Sequence, residues 1–292
     1  MRRSPRRGPD IGGDCVERWR RLPFLRYAPC HFSRGFLAQD VTVVVAHPDD
    51  ETLGCGALLS RLSAVPVILV TDGAPRNLAD ARRLGFPDAD SYARARLDEW
   101  RAALDIAAIP QNRLLVLGFP DQEAARNLVP LARQLADTFR RQRSHIVITH
   151  AYEGGHPDHD AVAFAVHLAA RLLEPVRHKL FIFEMPLYRL GDDGPVYQSF
   201  SPDIVPDIAI PLSPEEQDCK RRMVASFTTQ EAVLKPFSID VERFRAAPAY
   251  RFPVLPNRGR LLHEQHDWGM TGDRWHGLAS AALEEIAGVA AQ

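Results

Sequence analysis

The sequence predicts an α/β fold in which a mostly parallel sheet is covered by helices on both faces. Short apolar, β-branched segments alternate along the chain with segments whose apolar residues recur every three or four positions. The apolar segments do not alternate with polar residues, which is typical of strands that are buried on both faces. Such strands, alternating with helices, predict a parallel sheet with a helical layer on each side.

The predicted elements follow one another along the first two thirds of the chain. Strands are predicted at residues 41–46, 65–71, 113–117, 145–149 and 179–184. Helices are predicted at residues 52–63, 92–108, 128–143 and 156–173. The helical spacing is clearest in YARARLDEWRAALDIAA, and the second strand, VPVILVT, ends at an Asp-Gly turn.

Changes in composition divide the chain into three parts. Residues 1–39 are predicted to be a basic arm and an irregular lead-in, because the start, MRRSPRRGPD, is rich in arginine but no apolar segment follows it as in an export signal. Residues 40–185 form the predicted sheet core. Residues 186–292, rich in proline and with helices predicted at 214–229 and 278–287, are predicted to be a C-terminal cap region that packs on the core and sets substrate specificity.

Composition and charge narrow the class of protein. The chain has 292 residues, a formal net charge of −1 and four cysteines. This charge balance predicts no general attraction to nucleic acid or to anionic membranes. No apolar run approaches the roughly 20 residues of a transmembrane helix, so no transmembrane segment is predicted. The cysteines form no CxxC pair and are read as reduced thiols, which indicates a cytoplasmic protein.

Two clusters of histidine and acid follow the first and fourth predicted strands. The first, AHPDDE, contains His47, Asp49 and Asp50 directly after the strand. The second lies in THAYEGGHPDHDA, which begins at Thr149. In open α/β sheets ligands bind at the carboxyl ends of the strands, so we expect the two clusters to meet in space.

The residue types in the two clusters indicate a metal site. Imidazole and carboxylate suit Zn²⁺, and a catalytic zinc site keeps three protein ligands and one open position. His47 and Asp50, three residues apart across a strand-to-helix turn, can face one point, and a histidine of the second cluster would complete the set. A divalent ion would also offset acids that otherwise repel one another, and would leave Asp49 beside it as a general base. Any one of these residues alone is better explained as a helix cap or a buried histidine.

The paired motifs also resemble a known family. AHPDDE at 46–51 and GHPDH at 155–159, in this order of strands, are similar to those of the PIG-L/LmbE-like superfamily of zinc-dependent N-acetylglucosaminyl deacetylases. The resemblance covers roughly residues 40–185, with a weaker likeness at 220–230. It implies a Rossmann-like fold and the hydrolysis of an N-acyl amine, often an N-acetyl amino sugar.

The resemblance also implies a role for each residue. One Zn²⁺ per chain would be held by His47, Asp50 and His159, and Fe²⁺ would suit the same ligands. Asp49 would be the general base. His156 would stabilise the tetrahedral intermediate in its protonated form, while Asp158 would orient or tune one of the histidines, with His156 expected to gain a proton from this charge pairing.

Substrate contacts are less sharply indicated. Relatives bind substrate through the loops after the second and third strands, which points to Arg76 and Asp121; a surface arginine and a turn aspartate are equally good explanations. Some relatives have a tyrosine two residues before the first histidine of the second motif, where this chain has Gly154. Whether the nearby Tyr152 takes part is left open.

Other residues admit both a functional and an ordinary explanation. Trp268 and Trp275 could stack on a sugar ring, although core packing explains them equally well. Cys55, between two glycines, is better explained by close helix packing than as a nucleophile. A polar loop explains His263 and His266 better than a second metal site does.

The sequence thus predicts a zinc-dependent hydrolase that removes an N-acyl group, most simply acetyl, from an amino-sugar-like small molecule. Two alternatives remain. One is an amidase that cleaves a larger thiol- or sugar-conjugate with the same residues. The other is a catalytically silent module that binds a metal or a sugar, against which the intact Asp49 and His156 argue.

Overall fold

The computed structural model of the chain describes residues 41–62, 64–201 and 205–290. The predicted basic arm therefore lies outside the described residues, together with Cys15 and Cys30. Cys55 and Cys219 are both free thiols.

A seven-stranded sheet forms the centre of the molecule. Its strands are β1 (Val41–Val45), β2 (Val67–Thr71), β3 (Leu114–Phe119), β4 (Ile146–His150), β5 (Phe181–Met185), β8 (Ile208–Pro211) and β9 (Val241–Ala246). They lie in the order β3-β2-β1-β4-β5-β9-β8, and the first five are parallel to one another. β9 pairs with β5 in antiparallel orientation, and β8 pairs with β9 in antiparallel orientation at the edge of the sheet. The predicted mostly parallel sheet is thus confirmed.

Helices follow most of the strands. They are α1 (Asp50–Arg61), α2 (Ala79–Arg83), α3 (Ala89–Ile106), α4 (Leu128–Gln142), α5 (Pro157–Leu173), α6 (Pro214–Ala225), α7 (Glu231–Leu234) and α8 (Gly272–Ala290). A short hairpin of β6 (Tyr188–Leu190) and β7 (Pro195–Tyr197) stands apart from the main sheet. The short helix α2 was not predicted, and α1 begins two residues before the predicted helix, because the acids of AHPDDE form its first turn.

The two faces of the sheet pack against separate hydrophobic layers. Val43 and Val45 of β1 lie in one layer with Trp100 of α3, whereas Val44 lies in the other with Phe139 of α4. Successive side chains of a strand point to opposite faces. Both faces of β1 are therefore buried, which explains why its sequence is apolar throughout.

The C-terminal region is more closely joined to the core than a separate cap would be. β8 and β9 belong to the main sheet, and α6 packs against α1 and α3 on one of its faces. α8 packs against α4. The boundary at residue 185 and the role of 186–292 in specificity stay predictions.

Among the described residues, none of the helices combines the length and the apolar character that crossing a bilayer requires.

Candidate metal centre and active site

The two charged motifs lie side by side at the carboxyl edge of the sheet. β1 ends at Val45 and β4 at His150, and the two strands are parallel neighbours. The chain passes from β1 to β2 on one side, whereas β4 and β5 lie on the other, so the strand order reverses between β1 and β4. Open α/β sheets bind ligands in the crevice at such a reversal. The fold thus brings the residues around His47 and His159 together, as the sequence predicted.

Three side chains from the two motifs direct nitrogen and oxygen atoms at one point. His47 Nδ1 lies 3.2 Å from His159 Nε2 and 3.4 Å from Asp50 Oδ2. His159 Nε2 lies 3.2 Å from Asp50 Oδ1. In a tetrahedral site with zinc bonds of about 2.0–2.2 Å, the ligand atoms stand about 3.3–3.6 Å apart. The spacing of the three donors fits one divalent ion between them.

The charges around His47 also favour a cation at this point. Burial disfavours protonation of His47, but the carboxylates of Asp121 and Asp158 outweigh it and raise the pKa of His47 well above its usual value. Burial likewise opposes ionisation of Asp50, yet the adjacent His159 holds its pKa well below the usual value. A divalent ion would supply the positive charge that this buried, acidic site favours.

Two neighbouring histidines make hydrogen bonds to the backbone. His150 Nε2 accepts a hydrogen bond from the backbone N–H of Ala46 at 2.8 Å, and its ring is stacked on that of His159. His156 Nδ1 accepts from the backbone N–H of Asp158 at 3.1 Å. Each of these bonds occupies one ring nitrogen and leaves the other, and the side chains that could hold an ion together also include His156 with His47 and His159, or His150 with Asp50 and His159. On the short distances among their donor atoms, we propose His47, Asp50 and His159 as the ligands.

Asp49 lies beside the proposed ligands, at the residue that caps α1, and its backbone is strained. Its φ of 116° is in the left-handed region, which residues other than glycine avoid. Its Oδ2 accepts a hydrogen bond from Arg96 Nη2 at 3.1 Å, whereas Oδ1 has no such partner within the described part of the chain. Burial raises the pKa of Asp49 well above its usual value, although Arg96 opposes the change. The carboxylate is thus a proton acceptor with one oxygen unoccupied.

The carboxylate of Asp158 contacts His47, whereas the sequence suggested that it pairs with His156. Its Oδ2 lies 3.2 Å from His47 Nε2, and its two oxygens accept backbone N–H bonds from the loop after β3. The expectation that it keeps His156 protonated is wrong. Burial, and then the charges of His47 and His159, lower the pKa of His156 well below its usual value. Because His156 Nδ1 accepts a backbone N–H bond, this nitrogen carries no proton, and the hydrogen-bond pattern assigns the proton of the ring to Nε2.

Asp121 lies inside the crevice. Its Oδ1 is 3.2 Å from His47 Nε2 and 3.9 Å from His156 Nε2, and the residue is buried. Two carboxylates lie near His47 Nε2, and only that of Asp158 has the geometry of a hydrogen bond to it. Asp121 Oδ1 therefore has no hydrogen-bond partner among the residues described. It is not an ordinary turn aspartate. An acceptor in this position is available to a ligand.

Arg76 lies outside this cluster, on the loop after β2. Its Nη2 donates to Asp72 Oδ2 at 2.5 Å, and its side chain is exposed to solvent. Asp72 in turn accepts from the backbone N–H of Asp121 at 3.2 Å, which connects the two loops. A role in substrate binding stays a prediction for Arg76 and for Asp121.

Three residues for which the sequence left a role at the site open, Tyr152, Trp275 and Cys55, are packed in the core. The Tyr152 hydroxyl donates to the carbonyl of Phe252 at 2.8 Å, burial raises the pKa of Tyr152, and the Trp275 indole donates to the same carbonyl. Cys55 is fully buried. A Cβ at the preceding Gly54 would lie only 2.2 Å from Met185 Sδ, so close packing of α1 explains that glycine.

Aromatic residues from the C-terminal region border the cluster. The half-buried Trp268 lies 4.5 Å from the ring of His156 and is stacked on the exposed His266, and the ring of Tyr188 lies 5.2 Å from that of His159. A Cβ at Gly155 would lie 2.0 Å from the carbonyl oxygen of Tyr188. Gly155 therefore allows the backbone at Tyr188 to pack closely against the second motif.

Arg96 is the polar side chain of the site that the sequence analysis missed. It lies on α3 with only 4% of its surface exposed and contacts Asp49. The helical periodicity of the sequence indicated that Arg96 is buried. Arg96 occupies the same face as Tyr92 and Trp100, which are both buried, and an arginine on an apolar face requires a buried partner.

One family model matches the part of the chain that contains both motifs. Residues 42–170 match the family model described as PIG-L: GlcNAc-PI de-N-acetylase. Two curated relatives are both named 1D-myo-inositol 2-acetamido-2-deoxy-alpha-D-glucopyranoside deacetylase. The protein of Segniliparus rotundus is 34% identical over 143 residues, 40% of this chain and 45% of the relative. That of Acidothermus cellulolyticus is 30% identical over 146 residues, 42% of this chain and 50% of the relative. The chain thus spans about half the length of these curated relatives.

Solved structures show the same fold. A crystal structure of A40926 pseudoaglycone deacetylase superposes with a TM-score of 0.56 and 19% identity, over 73% of this chain and 100% of that one. The zinc-inhibited form of teicoplanin deacetylase superposes with a TM-score of 0.54 and 18% identity, over 70% of this chain and 96% of that one. At this identity the likeness concerns the fold. Residues 42–170, which contain both AHPDDE and GHPDH, are thus similar to the PIG-L family.

Proposed function

We propose that the protein is a zinc-dependent hydrolase that removes an N-acyl group, with acetyl as the first choice, from an amino-sugar-like small molecule. The observation that carries the proposal is the convergence of His47 Nδ1, His159 Nε2 and the Asp50 carboxylate within 3.4 Å of one another. The names of the curated relatives, both deacetylases of a 2-acetamido sugar, support the choice of acyl group and substrate class.

The site offers the groups that amide hydrolysis needs. Zinc, which His47, Asp50 and His159 would hold, would supply Lewis acidity toward the amide oxygen. Asp49 accepts a proton from the attacking water through its unoccupied Oδ1, while Arg96 holds its Oδ2. The water oxygen forms the new bond to the carbonyl carbon, the C–N bond breaks, and the proton passes from Asp49 to the departing amine.

His156 acts as a neutral hydrogen-bond donor. Its Nδ1 is held by the backbone N–H of Asp158, which fixes the ring and leaves Nε2–H directed away from that bond. A neutral donor of this kind stabilises negative charge that develops on the carbonyl oxygen, without the need for an imidazolium. Asp158 contributes through His47, whose Nε2 it contacts.

The identity of the metal and the place of action are part of the proposal. Nitrogen and carboxylate donors suit zinc, and Fe²⁺ accepts the same set. The two free cysteines, Cys55 and Cys219, support a reducing compartment such as the cytoplasm.

An amine-release assay tests the proposed function. Zinc-loaded protein is incubated with N-acetyl amino sugars, with the same sugars carrying longer acyl groups, and with a thiol-conjugate amide. We expect a primary amine and one equivalent of acid from the acetylated sugars, and no product after chelation of the metal. Preference for the conjugate would favour the amidase instead, and the absence of any product with fully loaded protein would indicate a binding module.

A further inference from the structure

Arg96 is a buried cation that contacts the proposed base from a separate helix. α3 presents Tyr92, Arg96 and Trp100 on one buried face, each one helical turn from the next. Trp100 Nε1 donates to Glu51 Oε2 at 3.0 Å, and Arg96 Nη2 donates to Asp49 Oδ2 at 3.1 Å. One face of α3 thus supplies donors to two of the acids that follow β1.

The same guanidinium nitrogen makes a second bond to the strained backbone. Arg96 Nη2 also donates to the carbonyl oxygen of Pro48 at 2.6 Å. The guanidinium therefore binds both the peptide group before Asp49 and the side chain of Asp49. These two groups flank the N–Cα bond of Asp49, whose φ angle is 116°. A conformation of this kind persists only where its surroundings hold it, and these two bonds are such a restraint.

The loop after β2 closes over this contact. Gly73 has a φ of +63°, and a Cβ there would lie 2.8 Å from Pro48 Cδ and 3.2 Å from Arg96 Nη2. The glycine thus lets the loop pack directly on the guanidinium. Since water is kept out, the bonds of Arg96 face little competition from solvent.

We propose that Arg96 is a positioning residue for the general base Asp49. It holds Oδ2 and the Pro48 carbonyl, and so directs the unoccupied Oδ1 toward the attacking water. The inference rests on the proposed function, because it assigns the orientation of the base in that reaction. A residue that only filled space or balanced charge would not have to bond the carboxylate and the neighbouring peptide through one nitrogen.

The activity test compares Arg96→Met and Arg96→Lys with Arg101→Met. Arg101 lies on the same helix, is exposed and pairs with Asp98, so it controls for the loss of an arginine from α3. We expect kcat to fall about 10–100-fold in Arg96→Met, with KM and metal content close to wild type, because misplacing a catalytic group by about 1 Å has an effect of that size. Arg96→Lys should retain the fold and recover only part of kcat, since an ammonium does not reproduce the guanidinium geometry.

Chemical rescue separates positioning from a merely structural role. Added guanidinium should restore part of kcat in Arg96→Ala and none in Asp49→Asn. Unchanged kcat in both Arg96→Met and Arg96→Lys, or loss of the metal in Arg96→Lys, would overturn the proposal.

A thermal unfolding cycle on the metal-free protein tests the contact without any substrate. The loss of melting temperature in the double variant Arg96→Met/Asp49→Asn should be smaller than the sum of the two single losses. Additive losses would contradict the contact. This measurement does not depend on activity, so it tests the contact even if the protein is not a hydrolase. The amine-release assay on the wild type tests the hydrolase function separately.

Discussion

His47 Nδ1 and His159 Nε2 face each other at 3.2 Å, although 112 residues separate the two histidines in the sequence. Parallel pairing of β1 with β4 brings them together, because His47 follows the carboxyl end of β1 and His159 lies in the first turn of the helix after β4. Two imidazole nitrogens this close, with the Asp50 carboxylate 3.2 Å from one and 3.4 Å from the other, form a set of donors that suits one divalent ion.

Removing either histidine should therefore release the metal. We expect elemental analysis to give about one zinc per chain for the wild type, and little metal in His47→Ala or His159→Ala. His150→Ala is the matched control, because its Nε2 accepts from a backbone N–H and does not bind metal in our assignment. Full metal content in the first two variants, or a loss confined to His150→Ala, would show that the ligands are assigned wrongly.

His156 should affect catalysis and leave the metal in place. Loss of one donor that stabilises the oxyanion lowers kcat by about 10²–10³-fold, so we expect this fall in His156→Ala. His156→Gln, which keeps an N–H donor, should retain more activity than the alanine variant. Wild-type kcat in His156→Ala would remove His156 from the mechanism, and lost metal would make it a ligand.

Arg76 and Asp121 should differ in their effects. Arg76 is exposed and its guanidinium is bonded to Asp72, so we expect Arg76→Ala to raise KM with little change in kcat. Asp121 contacts His47, so Asp121→Asn should lower kcat as well. Steady-state kinetics on the best substrate from the amine-release assay provides both values, and equal effects of the two changes on kcat would contradict the distinction.

Much of the site was predictable because its residues follow strand ends in short motifs. The periodicity located β1 and β4, and the motifs after them place His47 and Asp50 two and five residues beyond the end of β1 and His159 nine residues beyond the end of β4. The partner of Asp158 was not predictable in the same way. Neighbouring residues in GHPDH suggested His156, but the first turn of α5 directs the Asp158 carboxylate across to His47.

The antiparallel strands at the far edge of the sheet were missed for a physical reason. β9, with the sequence VERFRA, carries charged side chains whose buried environment depends on distant partners. Glu242 accepts from Lys220 at 2.9 Å, and Arg245 donates to Glu184 at 2.9 Å. No local pattern of hydrophobicity reveals a strand whose polar residues are paired in the core. For Arg96 the helical spacing indicates burial, but the identity of its partner, Asp49, does not follow from the local sequence.

Stability should depend on pH through His167, which lies away from the proposed metal. Its ring packs against Tyr250 and Phe252, and burial lowers the pKa of His167 from 6.5 to about 4. The unfolded chain takes up this proton below about pH 6.5, whereas the folded protein resists it until about pH 4. Stability from this group is therefore complete above pH 6.5 and falls by up to about 3 kcal/mol as the pH drops toward 4.

Replacing His167 tests this dependence. We expect His167→Phe to lose less stability than the wild type between pH 6.5 and pH 4, as measured by denaturant unfolding across that range. The exposed His276, changed to Gln, is the control for losing one histidine. A slope equal to that of the wild type in His167→Phe would show that other groups cause the acid sensitivity.

Zinc content and acetate release, both measured on Asp49→Asn, distinguish a general base beside the metal from a ligand of the metal. Asparagine keeps the shape of the side chain but cannot accept the proton, and loss of a general base costs about 10²–10⁴-fold in rate. We predict that Asp49→Asn retains zinc at the wild-type level while acetate release from an N-acetyl amino sugar falls by that factor. Wild-type acetate release in Asp49→Asn, or loss of the zinc, would contradict the account.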